Sequence, residues 1–247
     1  MGTIWDKQIE EMFGTPPKTL LAPIDLRDDD RDGVCGELVM FWEKWLNSSL
    51  PIALIDLTSY KDAEDYFKKG FNSTAQNRTR YAERKGYTCR IMDLKERNTR
   101  LDELHAINTS KDVRQGNPMR QNYIDYPQPI VEPKESCDLH FRKWYGAFAP
   151  NGTWIGYIVG VFAGELAAAG QILGNGNCAK DDFMYLLWKF FVEDVISENI
   201  QLKCIIRNDV KYIIYSRWGD GGEGLRYWKH SVGMVPTKYH YHRVTTM

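Results

Sequence analysis

Three consecutive runs, DLHFRKWYGAFAP (138–150), TWIGYIVGVFA (153–163) and LAAAGQILG (166–174), are short, apolar and bounded by turn residues. Runs of this kind read as strands. Asn151-Gly152 is a strong two-residue hairpin signal, and Gly164-Glu165 marks a second turn. The three runs therefore predict an antiparallel meander. The period then changes. In DDFMYLLWKFFVEDVISEN (181–199), Phe183, Met184, Leu187, Phe190, Phe191 and Val195 share one broad face of a helix of about five turns. Lys189 and Glu193 form an i,i+4 pair on its other side.

The remaining pattern adds elements on both sides. Residues 1–20 read as an amphipathic helix closing in the loop GTPPKT, and 36–47 as a helix. PIALIDL (51–57) is a buried strand. Thr58 or Ser59 caps the helix YKDAEDYFKK (60–69), which Gly70 stops. A basic helix spans 73–86, and YTCRIMDL (87–94) is a strand. TRLDELHAIN (99–108) is a helix with Thr99 and Asp102 as a capping pair. Residues 111–136 form a long loop rich in Pro, Asn and Gln; loops of that length in compact domains are functional or mobile. After the long helix come a strand (200–208), a short helix in GGEGLRYWKHSVG ended by Gly233, and a last strand or strand pair (234–244).

Composition narrows the class. A chain of 247 residues suggests one large domain, or one domain with an extension. Its 43% hydrophobic and 26% charged residues are ordinary for a globular protein. A net charge of −1 gives no global attraction to nucleic acid or membrane, so such a partner needs a local patch. One exists: Arg78, Arg80, Arg84, Lys85, Arg90, Lys95 and Arg97 outweigh Glu83, Asp93 and Glu96. It suits a nucleic-acid backbone, tRNA or a modified base among them, and equally a solvated helix face. The five cysteines are odd in number, widely spaced and without a CxxC, which points to free thiols in a reducing, cytoplasmic setting. No apolar run reaches the roughly 18 residues of a membrane span, so no membrane partner is expected. Asp28, Asp30, Asp32 and Gly33 mimic the start of a calcium loop, but Val39 stands where the closing Glu belongs. His240 and His242 share one strand face with no third ligand evident, so no metal is expected.

GQILGNGNCAKDD (170–182) carries the candidate chemistry. Gly174 and Gly176 let backbone N–H groups approach an anion, and a helix with its partial positive charge follows. The same residues also make plain turns. The order of elements from residue 87 resembles the GNAT N-acetyltransferase superfamily. Gln171-Ile-Leu-Gly174-Asn-Gly176 fits that family's Arg/Gln-x-x-Gly-x-Gly/Ala, and GLRYWKHSVGMVPTKYHY looks like its closing helix and strand. The resemblance implies an α+β fold with a mostly antiparallel twisted sheet flanked by helices: a core over 87–247, with residues 1–86 an extension packed on it. NRTRYAERKGY (77–87) more weakly resembles the basic helix of Fem-type aminoacyl transferases, which share the fold and take their acyl group from aminoacyl-tRNA.

That resemblance implies an acyltransferase moving an acetyl or other small acyl group from acetyl-CoA or another acyl-CoA to an amine by direct attack. It leaves open acyl or aminoacyl transfer onto a nucleic-acid-linked amine, and a non-catalytic binding member of the fold. The donor pyrophosphate would rest on Gln171, Leu173, Gly174, Asn175, Gly176 and Asn177. Backbone N–H groups near Ala167 to Gln171 would polarise the carbonyl if that strand splays from its neighbour. Tyr227, or Trp228 in its slot, would protonate the leaving thiolate, and Glu165, His140 and Glu223 are candidate bases. Arg114, Gln115, Met119, Arg120 and Tyr123 of the long loop would clamp a planar or anionic acceptor.

Overall fold

The alternating runs pair as a meander in the computed structural model, which describes residues 18–24, 50–114, 116–131, 140–163, 165–201 and 210–243. In chain order the elements are β1 (Lys18–Ile24), β2 (Ile52–Asp56), α1 (Ala63–Lys69), α2 (Ser73–Arg84), β3 (Thr88–Met92), α3 (Leu94–Thr99) and α4 (Leu101–Thr109). A two-residue ladder follows, β4 (Val113–Arg114) with β5 (Asn117–Pro118), then α5 (Gln121–Ile124). The second half holds β6 (His140–Phe148), β7 (Trp154–Ala163), β8 (Leu166–Gly174), α6 (Phe183–Gln201), β9 (Tyr212–Arg217), α7 (Glu223–Ser231) and β10 (Val235–Arg243).

Eight strands form one sheet in the order β1-β10-β2-β9-β8-β7-β6-β3. The β1/β10 and β8/β9 pairs are parallel and the others antiparallel. The period of two splits β7 between two cores. Gly156, Ile158, Gly160 and Phe162 face α6. A Cβ on Gly156 would come within 2.5 Å of the Phe183 ring, and one on Gly160 within 3.1 Å of Phe191. Both positions stay bare because the helix lies directly on the strand. Tyr157 and Val159 face the other way, packing with Trp144, Trp154 and Leu173 against Leu104 and Ile107 of α4. Residues 52–84, at the front of the chain, put β2 inside the sheet and lay α1 and α2 against α6.

Several elements differ from the sequence expectation for local reasons. Asp62, not Thr58 or Ser59, caps α1, accepting from the Asp65 N–H at 2.8 Å. Thr58 and Ser59 lie in a 3-10 turn that Asp56 caps. Asp93 ends β3 early by accepting from the Glu96 N–H at 2.6 Å and starting α3. The Thr99–Asp102 capping pair does not form: the Thr99 hydroxyl turns back to donate to Glu96 O, and α4 has Arg100 at its N-cap position with no side-chain cap bond. The long helix runs on to Gln201, and residues 202–208 of the expected strand lie outside the described residues. The strand beside β8 is instead β9, which the sequence pattern did not single out. Residues 18–20, expected where an N-terminal helix closes in the loop GTPPKT, belong to β1. The expected helix 36–47 and the acidic run Asp28 to Val39 lie outside the described residues.

Candidate active site

The parallel pairing of β8 with β9 covers just Leu166–Ala168 against Tyr212–Ile214. Beyond it β8 stays on β7 as far as Gly174, and β9 stays on β2 as far as Arg217. The two strands part, and among the described residues no other strand pairs with that edge of β8 from Ala169 onward. A bulge sits at the parting: Gln171 lies opposite Val159 and Ala169 opposite Gly160, leaving Gly170 as the extra residue. Bulges of this kind re-aim the backbone and recur beside active sites.

The far wall of the cleft is set by Lys229 of α7. Its ammonium is fully buried and donates to Ser216 Oγ (3.1 Å) and to the carbonyls of Arg217 (2.5 Å), Trp218 (3.3 Å) and Asp220 (3.2 Å). These bonds hold the chain end of β9, where Ser216 takes a left-handed φ of 49°. Burial pushes Lys229 from 10.5 down to about 8, with Asp220 pulling the other way. Between pH 8 and 10.5 the unfolded chain thus binds more protons than the folded one, and stability rises with pH as the strain of the buried charge is relieved. Lys229→Met is expected to remove that rise. Urea midpoints of both proteins across this window would test it; parallel pH profiles would contradict it.

At the open end lies the glycine-rich turn. A Cβ on Gly174 would meet Met184 Sδ at 2.7 Å and the Phe183 ring at 2.8 Å, so α6 packs against that glycine. A Cβ on Gly176 would meet the Lys111 stem at 2.5 Å. Four N–H groups of the turn are engaged. Asn175 donates to Ile155 O (2.7 Å) and Cys178 to Asn175 O (3.1 Å), both backbone acceptors. Gly176 donates instead to Ser110 Oγ (2.9 Å), and Asn177 to Asn175 Oδ1 (3.0 Å). Side-chain acceptors can rotate away; backbone ones cannot. Ser110 Oγ also accepts from Arg114 Nη2 (2.9 Å), while Arg114 Nη1 donates to Gly174 O (3.0 Å). Two donors thus converge on one hydroxyl oxygen beneath the Lys111 stem.

A 3-10 turn, Gly176–Asp181, separates the glycines from α6. Asp181 accepts from Lys85 Nζ (2.5 Å) and the Tyr87 hydroxyl (2.7 Å), which hold its carboxyl below the ordinary range. Asp182, with φ 58°, pairs with Arg78 at 3.1 Å. These contacts anchor the turn to α2 and use cations of the basic segment. Arg90 pairs with Glu96, and Arg97 is buried at 5% exposure over the Trp144 ring.

The other expected site residues scatter. Leu173 is buried and Gln171 half-buried on β8. Tyr227 is 47% exposed on α7 and adds to the forces, burial foremost, that raise Tyr185 at the start of α6. Trp228 packs between Trp188 (5.3 Å) and Tyr215 (5.9 Å), its buried Nε1 without an acceptor. Glu165 sits at the paired end of β8, bound to Lys211. Gly170 is five residues further on, roughly 17 Å along a strand. The His140 backbone pairs with Ala163 at that same end; its side chain, like those of His240 and His242, lies outside the described residues. Glu223 is exposed on the first turn of α7. Met119 and Tyr123 pack against the Trp144–Tyr157 cluster, Arg120 is exposed, and Gln115 lies outside the described residues. Ser110, Lys111, Asn108 and Tyr157 had no sequence signal, Arg97 figured only as one cation of the basic segment and Lys229 only as part of the closing-helix stretch, because their contacts join distant segments.

Meander, glycine-rich turn, long helix, parted parallel strand and closing helix together define a protein of the GNAT fold. Among solved structures the chain is similar to FemX, with a TM-score of 0.50 and 8% identity over 74% of this chain and 58% of that one. It is also similar to a tandem GNAT protein from the clavulanic acid biosynthesis pathway (TM-score 0.44, 12% identity, 90% of this chain and 59% of that one). A GCN5-related N-acetyltransferase from Kribbella flavida gives a TM-score of 0.40 and 8% identity over 77% and 55%. The chain spans a little over half the length of each. No protein-family model and no curated protein matches it. Among the described residues no helix is long and apolar enough to cross a membrane, and no three His, Cys, Asp or Glu side chains gather to hold a metal.

Proposed function

We propose that the protein is an acyltransferase that carries an acetyl or other small acyl group from a CoA thioester to an amine by direct attack. The observation that carries this reading is the parting of β8 from β9 after Ala168 and Ile214, next to the glycine-rich turn. The donor chain would lie between the parted strands. Its pyrophosphate would take the N–H groups of Gly176 and Asn177 in place of Ser110 Oγ and Asn175 Oδ1, with the Lys111 ammonium close by. The bulged backbone from Ala169 to Gln171 would donate to the thioester oxygen as charge develops there. Tyr227, exposed on α7, would protonate the departing thiolate. Glu165 and His140 stand at the closed end of the strands, and we give them no part in the chemistry.

The acceptor in this reading is a small amine. Of the seven cations between 78 and 97, Arg78, Lys85 and Arg90 hold carboxylates of this chain and Arg97 is buried, which leaves Arg80, Arg84 and Lys95 for a nucleic-acid backbone. The direct test is thermal unfolding with acetyl-CoA, CoA and 3′,5′-ADP. Acetyl-CoA and CoA are both expected to raise the midpoint, by about 2–4 °C at roughly tenfold excess over Kd. If none of the three shifts it, the CoA reading falls, and aminoacyl-tRNA becomes the donor to examine.

A further inference from the structure

One N–H of the glycine-rich turn is held from outside the turn by a side chain. Asn177 and Cys178 donate within the turn, and Asn175 donates to the backbone of β7. Gly176 donates to Ser110, the residue that closes α4 and stands 66 positions away in sequence.

The state of that hydroxyl decides what it does to a ligand. A serine hydroxyl has one proton and two lone pairs. At Ser110 all three are used: Oγ donates to Ile107 O at 2.7 Å, and accepts from Gly176 N and Arg114 Nη2, each at 2.9 Å. The proton is turned back onto its own helix, so Ser110 meets the turn with lone pairs. An oxyanion approaching the Gly176 N–H finds an acceptor already in place. While the Ile107 bond stands, the hydroxyl has no proton to offer that anion, and the two oxygens compete for one donor.

The hydroxyl can leave without orphaning its neighbours. Ile107 O keeps the Ser110 N–H (3.4 Å) and Arg114 Nη2 (3.0 Å). Arg114 keeps Ile107 O and, through Nη1, Gly174 O at 3.0 Å. Leu104 and Ile107 bury the same helix against the Trp144–Tyr157 cluster, which fixes its backbone. A rotation of one side chain is then enough. Ser110 is half-buried, so its freed hydroxyl can take water in place of the Gly176 N–H.

We infer that Ser110 is a competitor of the donor pyrophosphate carried by the protein itself: its hydroxyl fills the Gly176 N–H in the free chain, and the donor binds by displacing it. Ser110 thereby sets the affinity of the turn for its ligand. It acts through Gly176 and touches no reacting atom, so it is a positioning residue. The word donor rests on the acyl-transfer reading above; the occupied Gly176 N–H does not.

The experiment is calorimetric titration of CoA, inorganic pyrophosphate and pantetheine into the full chain, Ser110→Ala and Ser110→Thr. Ser110→Ala is expected to bind CoA and pyrophosphate about 2–10-fold more tightly than the parent, the equivalent of one neutral hydrogen bond that no longer has to be broken. Pantetheine carries no phosphate, and its response should be the same in both. Ser110→Thr keeps a hydroxyl and should return the parent affinity. Without ligand, Ser110→Ala should melt no higher than the parent, since Gly176 N–H loses its partner. A merely structural Ser110 would give an Ala variant that binds no better. The inference is overturned if Ser110→Ala binds CoA equally or more weakly, the latter making the hydroxyl a ligand of the phosphate, or if pantetheine gains as much as CoA. The two readings separate cleanly. A parent that binds CoA with no gain in Ser110→Ala removes the competitor and keeps the donor. A gain for pyrophosphate with no CoA binding in any of the three proteins keeps the competitor and removes the donor. Binding of neither CoA nor pyrophosphate by any of them removes both.

Discussion

Gly176→Asp is expected to lower kcat/KM for an acyl-CoA by about 10²–10⁴-fold while leaving the ligand-free unfolding midpoint nearly unchanged. The loss follows because a side chain at residue 176 would block the close approach of the pyrophosphate to the two N–H groups assigned to it. Hydrogen bonds to charged groups contribute about 1.5–3 kcal/mol each, and every 1.4 kcal/mol is tenfold in affinity. A carboxylate at residue 176 would also repel the phosphate directly. The small effect on folding has a separate cause. The new Cβ would meet the Lys111 stem, a flexible chain that can swing aside and then pair with the added carboxylate. Gly174→Asp is a poorer choice, because its Cβ runs into Met184 and Phe183 under α6 and would disturb the core. The measurement is thiol release against acyl-CoA concentration, beside a melting curve without ligand. Unchanged kinetics would remove the turn from the donor site; a collapsed midpoint would show that the turn is part of the core.

What the sequence disclosed of this fold was local. Asn151-Gly152 and the three turn-bounded apolar runs announced the meander, and the apolar face from Phe183 to Val195 announced the long helix, because both signals lie within one segment. The failures share another cause. β9 carries YIIYSR, too short and too mixed in polarity to stand out, and it is a strand because β2 and β8 flank it. β2 itself reads plainly as a strand, but nothing in PIALIDL tells that it inserts between β9 and β10. The site shows the same division. The glycines of the turn were legible. The acceptors that hold its N–H groups were not, since Ser110 lies 66 positions from Gly176 in sequence. The basic segment was legible only as composition: the sequence shows its cations, while Asp181, Asp182 and Glu96, which pair with three of them, come into reach through folding or lie within a helix start.

Trp188→Ala is expected to destabilise the protein by about 3–5 kcal/mol, a large share of the 5–15 kcal/mol typical of a whole domain. Trp188 is fully buried in the second turn of α6, where four elements meet. Its ring touches Phe191 on its own helix (5.4 Å), Tyr215 on β9 (6.3 Å) and Trp228 on α7 (5.3 Å). Its Nε1 donates to the Tyr66 hydroxyl on α1 at 3.0 Å, and that hydroxyl donates in turn to Val232 O at 2.7 Å. The residue therefore joins the helix below the parted strands to both walls of the cleft. Trp188→Phe should be milder: it keeps an aromatic ring among the same neighbours and loses one hydrogen bond of about 1 kcal/mol along with part of the ring area. Urea unfolding of the two variants measures the difference. Because Trp228 and Tyr227 sit on the helix this ring supports, the Ala variant should also lose activity before it unfolds, with kcat falling further than the affinity for CoA. An Ala variant as stable as the parent would mean that α6 and α7 do not depend on this contact, and the position assigned to Tyr227 would lose its support.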